Sequence, residues 1–309
     1  MVLLKNENAI PAKASELEYI VLVGEKIINI NNLAKHELFL NYDNIGMQSG
    51  GWTGRWQGFE GNPLWQGDNK KNSNASSILD GLKNMNQKFN LVHPQYTTFT
   101  DTTKIALERE KYLESLKTLR KNMNAKNTLI LSVVGESPYA EMVGDINIPY
   151  CQNHSMYQGD GCIWWPSTYS PLTQGNSLQV SFSDFDKSVI QSIKEESEEI
   201  PLVTVLLSGR PMIINDILAE SAGFISAFLP GTSGGQGIVD GIFGDYVFRP
   251  NGAKDGANSL SIDWPRSMDQ LKEFPYYGAD GEVPKIEDPL FTVGYGLSTA
   301  HKMIQLLTK

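Results

Sequence analysis

Thr128–Asp145 reads TLILSVVGESPYAEMVGD. Leu129, Ile130, Leu131, Val133 and Val134 form an apolar, partly β-branched run of strand length, and Gly135 stops it. The loop that follows is crowded with acid: Glu136, Glu141 and Asp145 surround Ser137, Pro138 and Tyr139. Open α/β sheets carry their chemistry on loops at the carboxyl ends of buried strands, so a catalytic carboxylate is sought here. The alternative is that these acids are solvated loop residues or helix caps, the ordinary fate of a carboxylate.

Outward from this stretch the same beat recurs. Tyr19–Val23 ends at Gly24, Phe89–Val92 is a shorter run, Leu202–Leu207 ends near Gly209, and Gly223–Leu229 ends at Pro230-Gly231. Helical patterns lie between or after these runs, at Ser76–Lys88, Asp101–Met123, Asp184–Glu196, Met212–Glu220 and Gly235–Phe243. Continuous apolar runs imply strands covered on both faces, and alternation with helices implies a mostly parallel sheet. The expected fold is α/β: a single sandwich domain over residues 1–309, its sheet flanked by helices. In the helix at 101–123, Ile105, Tyr112, Leu116, Leu119 and Met123 fall on one stripe and Glu108, Arg109, Lys111 and their charged neighbours fall elsewhere, which predicts a surface helix.

Charge and motifs exclude several classes. A net charge of −9 repels nucleic acid and anionic membrane surfaces, and no run reaches the roughly 18 apolar residues of a membrane span. The opening MVLLKNENAIPAK lacks the charge order and apolar length of a signal peptide, so no export address is expected. His36, His93, His154 and His301 share no metal-ligand spacing, and no Gly-x-Ser-x-Gly elbow is present; neither a metal nor a cofactor is expected. Gly231–Gly237 (GTSGGQG) sits where a phosphate loop would but lacks the Walker lysine, and close backbone packing explains its glycines equally well. Cys151 and Cys162 close a small disulfide ring if the compartment is oxidising and stay free thiols if it is not.

An aromatic feature points further. Gly50–Gly58 (GGWTGRWQG) sets Trp52 and Trp56 among glycines, outside any apolar periodicity. Exposed indoles in such a loop suit stacking on the C–H face of a sugar, whereas the alternative has one ring plugging the edge of the core. Trp164 and Trp165 form a second aromatic pair in the long loop beside Cys162.

Seven motifs in order, VLLKNE (Val2–Glu7), GGWTGRWQG (Gly50–Gly58), VVGESPYAEMVGD (Val133–Asp145), LLSGRP (Leu206–Pro211), FLPGTSGGQGIVDGIFGDY (Phe228–Tyr246), DWPRS (Asp263–Ser267) and PLFTVGYGLS (Pro289–Ser298), resemble the C-terminal α/β-sandwich domain of glycoside hydrolase family 3, in its β-glucosidase and exo-β-glucanase branch. Members of that branch carry a (β/α)8 barrel before the sandwich and cut between the two; no barrel precedes it in this chain, so the expectation is of a C-terminal half. The resemblance implies Glu141 as the general acid/base and Trp56 as the ring stacking on the sugar, with Trp52 and Arg55 beside it. It leaves Glu136 a structural acid, with Asp145 as a further alternative. A retaining glycosidase pairs such an acid with a nucleophilic carboxylate about 5 to 5.5 Å away, and the resemblance places that Asp on the barrel. The implied partners are a β-glucoside or β-glucan oligosaccharide and a barrel domain or chain, and the implied location is secreted, periplasmic or vacuolar. This sequence departs from the family at the charged helix before Thr128, at an insertion from about 150 to 176, and at Arg55. The competing reading is a stand-alone carbohydrate-binding or structural subunit.

Overall fold

The computed structural model describes residues 1–30, 35–62, 64, 74–95, 101–140, 179–250, 258–272 and 286–300. Six strands make the main sheet: β1 (Val2–Asn6), β2 (Tyr19–Val23), β5 (Asn90–Val92), β6 (Thr128–Gly135), β7 (Leu202–Leu207) and β8 (Gly223–Phe228), in the order β1-β8-β7-β6-β2-β5. All neighbours pair in parallel except β1, which runs antiparallel to β8 with a register shift between Leu3 and Lys5. The fold is thus α/β with a mostly parallel sheet.

Side chains of β6 alternate between two cores. Ile130 and Val134 join Val21, Leu202, Leu206 and Phe224 on one face. Leu129, Leu131 and Val133 join Ile20, Val203, Val205 and Ile225 on the other. The first face is covered by α3 (Thr102–Leu119), α4 (Asp184–Lys194) and α5 (Asn215–Glu220), through Leu116, Ile193 and Ile217. The second is covered by α2 (Ile78–Asn84) and α6 (Gly234–Phe243), through Leu82 and Ile238. Because both faces are buried, the strands read as unbroken apolar runs.

Three features depart from the expected pattern. The edge strand β1 is one, and its outer side is sealed: Leu297 N–H donates to the Leu3 carbonyl at 2.9 Å and the Tyr295 hydroxyl to the Leu4 carbonyl at 3.0 Å. The second is a hairpin of β3 (Glu25–Ile30) and β4 (Lys35–Leu40), a separate two-stranded sheet that begins one residue after β2. Gly24 at the junction has φ +136°, and a Cβ there would lie 2.3 Å from the Val133 carbonyl oxygen, so only glycine lets the chain leave the sheet beside β6.

The third concerns α3. Ile105, Leu116 and Met123 are buried as the stripe requires, but Leu119 is 39% exposed because the helix ends there and tightens into a 3-10 turn at Arg120–Asn122. Arg109, assigned to the solvated face, instead turns inward and pairs with the buried carboxylate of Glu25. Short α1 (Ile45–Ser49) and α7 (Asp269–Lys272) complete the helices among the described residues.

Candidate functional site

The β6 strand ends at Gly135, where glycine is required: a Cβ at its φ of +156° would lie 1.9 Å from the Leu207 carbonyl oxygen. One residue on, Glu136 N–H still donates to that carbonyl at 3.0 Å, so its side chain starts from a backbone fixed by the sheet. The Glu136 carboxylate is buried. Its Oε1 accepts from Arg210 Nε at 2.9 Å and Nη2 at 2.5 Å, and its Oε2 accepts from the Tyr139 hydroxyl at 3.2 Å. Arg210 arrives on the turn after β7 and lies 4.9 Å over the Tyr139 ring. Burial, followed by the nearby Glu136 charge, raises the Tyr139 hydroxyl well above its ordinary pKa, which keeps it protonated and donating.

The tryptophan loop docks against this segment. Gly50, Trp52, Gly54 and Gly58 all have positive φ, and Trp52 N–H closes the loop on the Trp56 carbonyl at 2.9 Å. A Cβ on Gly51 would lie 2.2 Å from the Tyr139 carbonyl oxygen, and one on Gly58 would lie 2.7 Å from Pro138 Cβ. Gln57 Oε1 accepts the Ala140 N–H at 2.7 Å. The glycines are therefore a contact surface that brings the indoles up to the backbone of residues 138–140.

Trp52 is 68% exposed and Trp56 half-buried, with ring centroids 6.4 Å apart and planes tilted by 48°. Plugging the core is thereby excluded for Trp52. Arg55 is exposed but committed to its own loop: Nε donates to the Gly58 carbonyl at 2.6 Å and the guanidinium lies 4.5 Å over Phe59. Leu229, from the end of β8, backs the loop at Gly50.

The structure thus sets the loop of Trp52, Arg55 and Trp56 against residues 138–140, which follow Glu136 closely in the chain. Glu141, Asp145, Cys151, Cys162, the Trp164–Trp165 pair and the insertion at 150–176 lie outside the described residues. Sequence reasoning missed the fastening side chains Gln57, Tyr139 and Arg210; the SGRP turn following a buried strand was the signal for the last. At the other loop, Gly231 N–H is bound to the Gln48 carbonyl at 3.0 Å and Gly235 N–H to the Ser76 carbonyl at 3.2 Å. A Cβ on Gly235 would lie 2.1 Å from Ser77, so this glycine serves the packing of α6 on α2, and the Gly231, Gly234 and Gly235 amides are all bonded within the chain. Among the described residues no three His, Cys, Asp or Glu side chains are gathered to hold a metal, and no helix is long and apolar enough to cross a membrane.

Xylan 1,4-beta-xylosidase of Xylanibacter ruminicola is 24% identical over 176 residues, covering 53% of this chain and 20% of that protein. Lysosomal beta glucosidase of Dictyostelium discoideum is 23% identical over 305 residues, 96% of this chain and 28% of that protein. The crystal structure of beta-glucosidase from Listeria innocua in complex with isofagomine matches the fold with a TM-score of 0.51 at 16% identity, over 96% of this chain and 32% of that one. The chain thus spans between a fifth and a third of the length of these relatives. The family model described as the glycosyl hydrolase family 3 C-terminal domain matches residues 1–299, and the chain therefore belongs to glycosyl hydrolase family 3.

Proposed function

We propose that this chain supplies the acid/base carboxylate, Glu141, and an aromatic sugar platform, Trp52 and Trp56, to a retaining β-glucosidase or exo-β-glucanase. The nucleophile comes from a barrel domain or a separate barrel chain. The observation that carries this reading is the docking of the tryptophan loop on Pro138, Tyr139 and Ala140, the three residues immediately before Glu141. Glu136 suits the acid/base role poorly, because both of its oxygens are occupied by Arg210 and Tyr139. Arg55 contributes to sugar binding by holding the loop through Gly58 and Phe59. The substrate class is a β-glucoside or β-glucan oligosaccharide, with β-xylosides as the comparison because two relatives bear xylosidase names.

Glu141 donates a proton to the leaving oxygen as the glycosidic bond breaks and later takes one from water as the glycosyl-enzyme is hydrolysed. The test needs the chain combined with a matching barrel. Glu141→Gln is expected to cripple glycosides with poor leaving groups far more than activated aryl glycosides, and azide is expected to restore part of the second step. Equal slowing of both substrate classes would show that Glu141 is not the acid. In the same enzyme Trp56→Ala is expected to weaken binding by roughly 1 to 3 kcal/mol, the value of one lost aromatic contact.

A further inference from the structure

We infer that Lys26 is a positioning residue that locks the tryptophan loop and the carboxylate segment into one fixed relation; the inference rests on reading those two segments as parts of one sugar site. Lys26 opens the hairpin two residues after Gly24. Its Nζ donates to the Ser137 hydroxyl at 2.5 Å and lies 3.6 Å from Glu60 Oε1, and the Lys26 and Glu60 side chains are each only 15% exposed. Ser137 belongs to the segment that leads to Glu141, and Glu60 lies just past the tryptophan loop.

Glu60 is itself fixed. Its Oε2 accepts from Asn44 Nδ2 at 2.7 Å, and Asn44 Oδ1 accepts the Gly61 N–H at 2.7 Å and the Met47 N–H at 2.8 Å. One ammonium therefore bridges two segments that otherwise meet through glycine contacts and the Gln57–Ala140 hydrogen bond. Partial withdrawal from water strengthens the charge-assisted bond to Ser137 and the ion pair with Glu60, and penalises any shift that lengthens them.

The base from which Lys26 projects is anchored separately. Asp186, at the start of α4, accepts the N–H of Gly24 at 2.9 Å and of Glu25 at 3.1 Å, while Glu25 pairs with Arg109 of α3. The charged helix thus reaches the site through Arg109, Glu25 and Lys26 in sequence, which assigns a function to an element the family resemblance leaves unexplained. Removal of the ammonium leaves that base in place and frees the two loops to slide.

The test uses the 309-residue chain with 15N-labelled tryptophan. Trp52 and Trp56 indole signals are assigned by their Phe variants, and buried Trp264, whose Nε1 donates to the Met212 carbonyl at 2.7 Å, is the internal reference. Lys26→Met is expected to move the Trp52 and Trp56 signals while Trp264 stays in place, and Lys26→Arg is expected to bring them back. Ser137→Ala and Glu60→Gln are expected to move the same two signals by smaller amounts. Unmoved Trp52 and Trp56 signals in Lys26→Met would overturn the inference, as would unmoved signals in both Ser137→Ala and Glu60→Gln if Lys26→Met does not fold. Titration with cellobiose judges the sugar reading separately. A wild type whose indole signals ignore the disaccharide defeats that reading, whereas the ligand-free spectra still decide the role of Lys26. Where binding is seen, Lys26→Met is expected to weaken it about tenfold, the loss of one charged hydrogen bond.

Discussion

Glu136 and Glu141 share one short loop, and their neighbours separate them. Glu136 meets a guanidinium and a phenol that together satisfy both oxygens away from water. An isolated glutamine cannot answer Arg210 in the same way. Glu136→Gln is accordingly expected to destabilise the fold by about 3 kcal/mol, chiefly by removing the buried carboxylate that Arg210 grips through two nitrogens, and a urea denaturation midpoint equal to wild type would refute this. Arg210 is 74 residues distant in the chain, which is why residue types alone leave the two acids equivalent and only the family motif ranks them. The tryptophans were easier to read. Glycines on either side of an indole are unusual for a core position, and the loop carries Trp52 at a positive φ where burial is not available.

Elements show a similar division. The parallel strands announce themselves because burial on both faces leaves no polar alternation to blur them. The edge strand β1 is harder: its neighbouring Leu3 and Leu4 are both buried around a register shift, which erases a period of two. Helix α3 was located by its apolar stripe, but its charged face concealed Arg109, whose partners lie on β3 and α4. Those partners give the molecule a pH dependence. Burial pushes the Asp186 carboxyl up to about 6, against the opposing pull of the Gly24 N–H, Ser183 and Arg109. Glu25 and Tyr112 are the other titratable groups at this junction, and Tyr112 is raised by burial and so stays neutral. A carboxyl that is harder to ionise in the fold than in the unfolded chain costs stability as pH rises from about 4 to about 6, by on the order of 2–3 kcal/mol, and the cost stays constant above that. Asp186→Asn removes this slope. Its stability relative to wild type is expected to be more favourable at pH 7 than at pH 4.5, measured by denaturant melts at both; an identical difference at the two pH values would exclude Asp186 as the source.

At the scale of the molecule, parallel pairing brings the chain out of β2, β6, β7 and β8 on one rim. Lys26, the carboxylate segment, Arg210 and Leu229 all stand there, and the tryptophan loop is fastened between them. This convergence was legible as soon as the strand–helix alternation was read, whereas the fastening contacts depend on residues far apart in sequence. The rim offers a proton donor and an aromatic wall under the proposed function, but the nucleophile is expected on another domain. The purified 309-residue chain is therefore expected to release no aglycone from aryl β-glucosides; turnover that Glu141→Gln abolishes would mean that a complete active site lies within it. The sealed outer side of β1 has a different kind of consequence. A bare β edge is a template for further strands and so for fibrils, and here the Leu297 backbone N–H and the Tyr295 hydroxyl occupy that template. A chain shortened before Tyr295 would lose the packing of Tyr295 and Leu297 on the two cores and at the same time gain a sticky margin along which copies could polymerise.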